Sequence, residues 1–288
     1  MKIMQKERLS LSHQKLLETR FKALNLDLSE YSFANLYLFR HLHQYELIFA
    51  DELYIQGLNR EGSSFIMLTS RPQQAKLPQL LSLLNSNSFL FPIPDQWLEL
   101  FGPYLNQVSF KEDDSDYLFQ TSKLAQFQGR HLSKKRNLVK QLFSNHLVEV
   151  YPLQEKKEEA LMILNEWQEE QLRPAAETDY LSCKEAIELH QILSLEGRIF
   201  YIDGYPSGLT IGERLNDRCF VIHFAKAHKR LNGLYQYLYQ EQAQFLGSHY
   251  DWINLEQDLG SPALRQAKHS YLPDRMLHKM RVYLKNPG

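Results

Sequence analysis

The chain has 288 residues, a formal net charge of −1, 43% apolar and 23% charged residues, which suits one large or two ordinary domains. The balanced charge excludes a whole-molecule field that would gather nucleic acid or an anionic membrane, so such a partner must meet a local patch. Cys183 and Cys219 are too few for a disulfide framework, no apolar run follows Lys2, Lys6, Glu7 and Arg8, and prolines punctuate the uncharged stretch 77–94, so the expectation is a cytoplasmic chain with no transmembrane segment.

In chain order, residues 12–24 place Leu16, Leu17, Phe21 and Leu24 on one helical face, and 32–42 reads as a second helix. Runs 45–49, 52–57 and 63–69 read as a β meander. A helix opened by Pro78, a short apolar run 89–91, a helix from Pro94 and a run 107–110 follow. The second half repeats the order. Helices are expected at 155–172 and 182–195, strands at 198–203, 209–214 and 218–225, and a helix at 233–246. A run 250–254, a helix from Pro262 and a last strand 276–284 complete it. The same order of nine elements, twice, predicts two copies of one α/β (α+β) unit, each a mixed sheet flanked by helices. The expected division is 1–128, a basic connecting helix within 129–146, and 147–288.

The chemistry concentrates in the second copy. The strand through His223 and Phe224 runs into Lys226, Lys229, Arg230, Asn232 and Gly233, where a helix begins. A strand, a loop and a helix N-terminus form a ready anion site, and glycine permits close approach to the backbone. The first copy's counterpart, residues 70–78, has no glycine and two prolines, and is expected to lack a phosphate loop.

The stretch Arg230-Leu-Asn-Gly-Leu-Tyr235 resembles the Arg/Gln-x-x-Gly-x-Gly/Ala pyrophosphate loop of GNAT acyltransferases, with Tyr235 in place of a small residue. The stretches 252–268 and 270–273, His223 to Ala227, 129–143 with Lys134-Lys-Arg-Asn137, and 31–39 resemble a bacterial family related to the C-terminal domain of phosphatidylglycerol lysyltransferase. That resemblance covers nearly the whole chain. It implies tandem GNAT-like domains, as in Fem-type transferases, and transfer of an aminoacyl group from aminoacyl-tRNA. No stretch of this sequence is expected to supply the multi-helix membrane portion of the lipid lysyltransferases.

On this reading the candidate catalytic residues are Lys226, for a phosphate or a carbonyl oxygen, Glu256 or Asp258 as proton acceptor, and Tyr271 as proton donor. Arg230, Asn232, Gly233, Asn254, Arg265 and Lys268 are expected to bind substrate. Lys134, Lys135 and Arg136 form a basic stripe suited to RNA or phosphate. Against these roles stand ordinary ones: a surface lysine, an Asp258–Arg265 salt bridge, a packed tyrosine, a solvated basic face, and His223 as a core histidine. No metal site and no tightly bound cofactor are expected. Aminoacyl-tRNA or acyl-CoA would be the co-substrate, and a small molecule, peptide or lipid the acceptor. The rivals are an acetyl-CoA-dependent N-acetyltransferase and a non-catalytic binding module. The sequence leaves the acyl donor, the acceptor, catalytic competence and the oligomeric state open.

Overall fold

The computed structural model describes residues 5–85 and 88–287; Lys2 and Asn87 lie outside the described residues. The chain divides into two compact units. The first comprises 1–116, 257–265 and 276–288, and the second 117–256 and 266–275.

The first unit holds strands β1 (Gln5–Arg8), β2 (Glu46–Phe49), β3 (Leu53–Leu58), β4 (Ser64–Leu68), β5 (Phe89–Ile93) and β6 (Leu105–Ser109). Its helices are α1 (Gln14–Leu24), α2 (Phe33–Leu38), α3 (Arg40–His43) and α4 (Leu77–Leu83). The helix expected over 32–42 is thus two, joined at Phe39. Next in the chain come β7 (Asp116–Gln120), α5 (Thr121–Gln126), α6 (Ser133–Asn145), β8 (Val148–Pro152), α7 (Lys157–Glu170) and α8 (Tyr180–Glu188). They are followed by β9 (Glu196–Ile202), β10 (Tyr205–Arg214), β11 (Cys219–Ala227), α9 (Leu234–Leu246), β12 (Trp252–Asn254), α10 (Pro262–His269), β13 (Arg275–Leu277) and β14 (Met280–Leu284).

Each unit is built on a seven-stranded sheet. The orders are β1-β2-β3-β4-β5-β14-β6 and β13-β7-β12-β11-β10-β9-β8. In the first, β1 to β4 run antiparallel, β4 is parallel to β5, and β5 is antiparallel to β14. In the second, β8 to β11 run antiparallel, β11 is parallel to β12, and β12 is antiparallel to β7. The repeat expected from element order is therefore a repeat of pairing: two mixed sheets of the same strand pattern.

The division differs from the expected 1–128 and 147–288. β7 lies within the expected first copy, 1–128, yet it is a strand of the second sheet, with Tyr117, Leu118 and Phe119 wholly buried. β14 was expected to close the second copy, yet it runs between β5 and β6 of the first sheet, with Val282 wholly buried. Apolar strands are legible in a sequence, but the sheet that each joins depends on long-range pairing. The basic helix α6 belongs to the second unit, where Leu142 packs with Leu234 and Leu238 of α9 against Phe200 and Ala227.

Candidate functional site

β11 ends among buried polar groups of the second unit, Lys226 and His228. Neighbouring side chains on a strand point to opposite faces. Ala227 packs into the α6–α9 cluster, and Lys226 faces α7, with its Nζ 3.7 Å from the centre of the Trp167 ring. Both Asp179 oxygens accept from that Nζ, at 2.6 and 2.7 Å. A buried ammonium is costly without a counter-charge, and here a carboxylate and an aromatic face supply one. The Lys226 side chain is 7% exposed, whereas that of Asp179 is 37% exposed, so the pair is reached from solvent on the aspartate side.

Three further groups frame this pair. The Trp167 indole N–H and the Ala227 amide donate to the Tyr235 hydroxyl oxygen, while burial pushes that phenol's pKa up. The residue that departs from the GNAT loop pattern thus joins β11 to α7. Cys183, one turn into α8, is buried, which pushes its thiol pKa up. His228 is buried, with Nδ1 3.3 Å from Glu170 and Nε2 3.0 Å from Glu166, the latter without hydrogen-bond alignment. The Tyr205 hydroxyl donates to Glu166. Asp179, Trp167, Glu166 and Glu170 were not singled out from the sequence. The signal available was the spacing of Glu166, Trp167 and Glu170 on one face of α7.

The glycine loop is used differently from the expectation. Gly233 caps α9 with φ +91°, and a Cβ there would collide with the Leu138 carbonyl oxygen of α6. Its close backbone approach is thus taken by a helix of its own unit. Arg230 and Asn232 are exposed beside it.

At the end of β12, Asn254 is wholly buried and its side-chain oxygen accepts from the Glu256 amide at 2.6 Å. Glu256 is not solvated either: its carboxylate lies 2.7 Å from His223 Nδ1, and Glu213 lies 2.9 Å from Nε2. Burial opposes a charge on His223, but the Glu256 and Glu213 carboxylates outweigh it and raise its pKa to about 10. His223 is thus a core histidine that carries charge. Lys268 Nζ donates to the Leu255 and Glu256 carbonyls, at 2.7 and 3.2 Å.

Tyr271 is buried against Phe127 and Tyr239, and burial raises its pKa well above the usual value. Lys135 lies 4.1 Å over the Tyr271 ring and donates to Ser270 at 2.6 Å; Arg136 donates to the Phe127 and Gly129 carbonyls. Of the three stripe residues, Lys134 is exposed and the other two are half-buried in contacts of their own unit.

Asp258 and Arg265 belong to the first unit. Asp258 is wholly buried and accepts from Arg265 Nε at 2.9 Å and from its Nη2 at 3.0 Å. This is the salt bridge that the spacing suggested; Arg265 also reaches Asp113 at 2.5 Å. Beyond β4, in the place that corresponds to the β11–α9 loop, Lys76 and Arg20 both bind Glu52, and those bonds hold its carboxyl low. These cations of the first unit are occupied.

Residues 21–283 match the family described as phosphatidylglycerol lysyltransferase, C-terminal. The chain belongs to that family. A conserved protein of unknown function from Bacteroides thetaiotaomicron shares the fold, with a TM-score of 0.86 and 22% identity over 98% of this chain and 100% of that one. The C-terminal domain of a putative lysylphosphatidylglycerol synthetase from Agrobacterium fabrum follows, with a TM-score of 0.61 and 14% identity over 95% and 92%. An uncharacterized protein of Mycoplasmoides gallisepticum is 25% identical over 181 residues, 59% of this chain and 56% of its own length, so the match spans little more than half of that relative.

Among the described residues of this lysyltransferase-family chain, no group of three or more His, Cys, Asp or Glu could hold a metal ion. No helix among them is long and apolar enough to cross a membrane.

Proposed function

We propose that the chain is an aminoacyltransferase that moves an aminoacyl group from aminoacyl-tRNA to an amine or hydroxyl acceptor, with the transfer centred on the end of β11 in the second unit. Family membership supports the reaction class. The observation that carries the site is the Lys226–Asp179 pair, a buried ammonium whose carboxylate partner faces solvent. An aminoacyl ester presents an α-ammonium and a carbonyl oxygen side by side. Asp179 is suited to the first and Lys226 to the second, where negative charge develops during attack.

The acceptor's lone pair forms the new bond to the carbonyl carbon, the ester C–O bond breaks, and the acceptor's proton passes to the departing ribose oxygen. Positioning and charge stabilisation supply the rate, with no tightly bound cofactor. Arg230 and Asn232, exposed on the following loop, would meet the donor's phosphates, and Lys134, also exposed, the RNA backbone. In this proposal the protein works in the cytoplasm, where its donor is made.

The test is transfer of label from a set of aminoacyl-tRNAs to small-molecule, peptide and lipid extracts by the purified chain. Transfer from at least one donor is expected, falling at least about a hundredfold in Lys226→Met, the scale on which an oxyanion-stabilising group acts. No transfer from any donor, or full activity in Lys226→Met, would sink the proposal.

A further inference from the structure

The first unit buries a second charged cluster, which the proposed chemistry does not use. Lys279, in the turn between β13 and β14, places Nζ 2.6 Å from Asp116, 2.7 Å from Glu30, 3.0 Å from Gln257 and 3.2 Å from Ser29. Lys279 and Asp116 are wholly buried and Glu30 is 8% exposed. The Ser29 amide donates to Asp116 at 2.8 Å. Residues 29, 30 and 116 come from the N-terminal segment of this unit, Gln257 from the segment 257–265, and Lys279 from the segment 276–288. One cluster therefore ties together all three pieces of chain from which the unit is made.

Its charges do not balance. One ammonium faces two carboxylates, and Asp116 repels charge on Glu30. Tyr31 and Tyr45 face Glu30, and both are neutral phenols pushed further up, by burial first and by Glu30 second. His43 faces Arg60, Asp114 and Lys279, and burial first lowers its pKa. An enclosed site rejects uncompensated charge, and a carboxyl group can shed it by keeping a proton.

We infer that Glu30 holds that proton in the folded protein, and that the cluster is a proton-keyed clasp on the two C-terminal segments of the first unit. Burial raises the Glu30 pKa, Lys279 pulls it down and Asp116 pushes it up, and the net is a rise from 4.5 to about 7. A carboxyl whose folded pKa is raised binds its proton more tightly folded than open. The clasp's contribution is therefore fully present below pH 4.5, falls as pH climbs from 4.5 to 7, and is constant above. At neutral pH the clasp sits at the foot of that slope, where modest acidification tightens it. The segment it holds, 257–265, carries Asp258 and Arg265.

Hydrogen exchange of the wild-type chain, divided by intrinsic exchange rates, reads the opening of 257–265 and 276–284 directly. Their opening constants should rise with pH, approaching tenfold per pH unit between about 5 and 7, then level off. Glu30→Gln keeps an acceptor for Lys279 without the titration, and should hold both segments at their low-pH protection throughout. A slope that survives Glu30→Gln overturns the inference. Should that variant fail to fold, carboxyl-carbon NMR of the wild-type protein decides: a Glu30 midpoint near 7 supports the clasp, and one at the ordinary glutamate value removes it.

Discussion

Lys226 and Lys279 are both buried lysines bound to an aspartate, yet their surroundings assign them different work. Lys226 has one carboxylate, and that carboxylate is more than a third exposed; its other flank is the face of Trp167. Lys279 has two carboxylates, a hydroxyl and an amide oxygen, and it is sealed. A counter-ion that faces water can be exchanged for a ligand's charge, whereas one that is sealed can only hold the chain in place. Burial of an ionised group is therefore not itself the mark of a functional site. What distinguishes the two is whether the partner can be reached.

Substitution of the two lysines gives the largest contrast. Lys279→Met strands Glu30 and Asp116 without their cation, and urea unfolding should show a loss of about 3–5 kcal/mol. Lys226→Met leaves an aspartate that water can solvate, so the loss should stay below about 2 kcal/mol, the scale of a desolvated cation–π contact. Equal losses in the two variants would erase the distinction.

A smaller effect asks how far the ligand-facing character of Lys226 extends along its loop. Gly233→Ala forces a Cβ into the Leu138 carbonyl at a positive φ, and should cost about 1–3 kcal/mol in the same assay. Stability unchanged in that variant would return Gly233 to the role of open ligand cradle. The smallest effect belongs to the surface: Lys134→Glu should shift stability by no more than about 0.5 kcal/mol. It should also weaken binding of tRNA in a salt-dependent way, as read by filter retention. Unchanged binding would move any RNA contact away from α6.

Much of this was legible in the sequence. Element order predicted the repeat, because helix and strand periods are local, and the Asp258–Arg265 bridge followed from a seven-residue spacing across a loop and a helix start. The family likeness rested on motifs spread along the chain. Other features depended on distant partners. Nothing local to β14 says that it lies between β5 and β6. Nothing local to Lys226 names Asp179, 47 residues earlier, as its counter-ion. Gly233 shows the converse: close approach to its backbone was a fair reading of its type, but the helix that makes that approach lies about a hundred residues upstream. Lys279 carried no signal at all, since its meaning comes from four groups on the two other segments of its unit.

The place of β14 has a consequence for how the protein is made. Synthesis delivers β5 and β6 long before β14, the strand that belongs between them. Until then two strand borders of that sheet stand open, and the lysine that binds Glu30 and Asp116 has not been translated. Open borders invite pairing with other chains. A nascent chain stalled before β14 would thus be a client for chaperones and proteases.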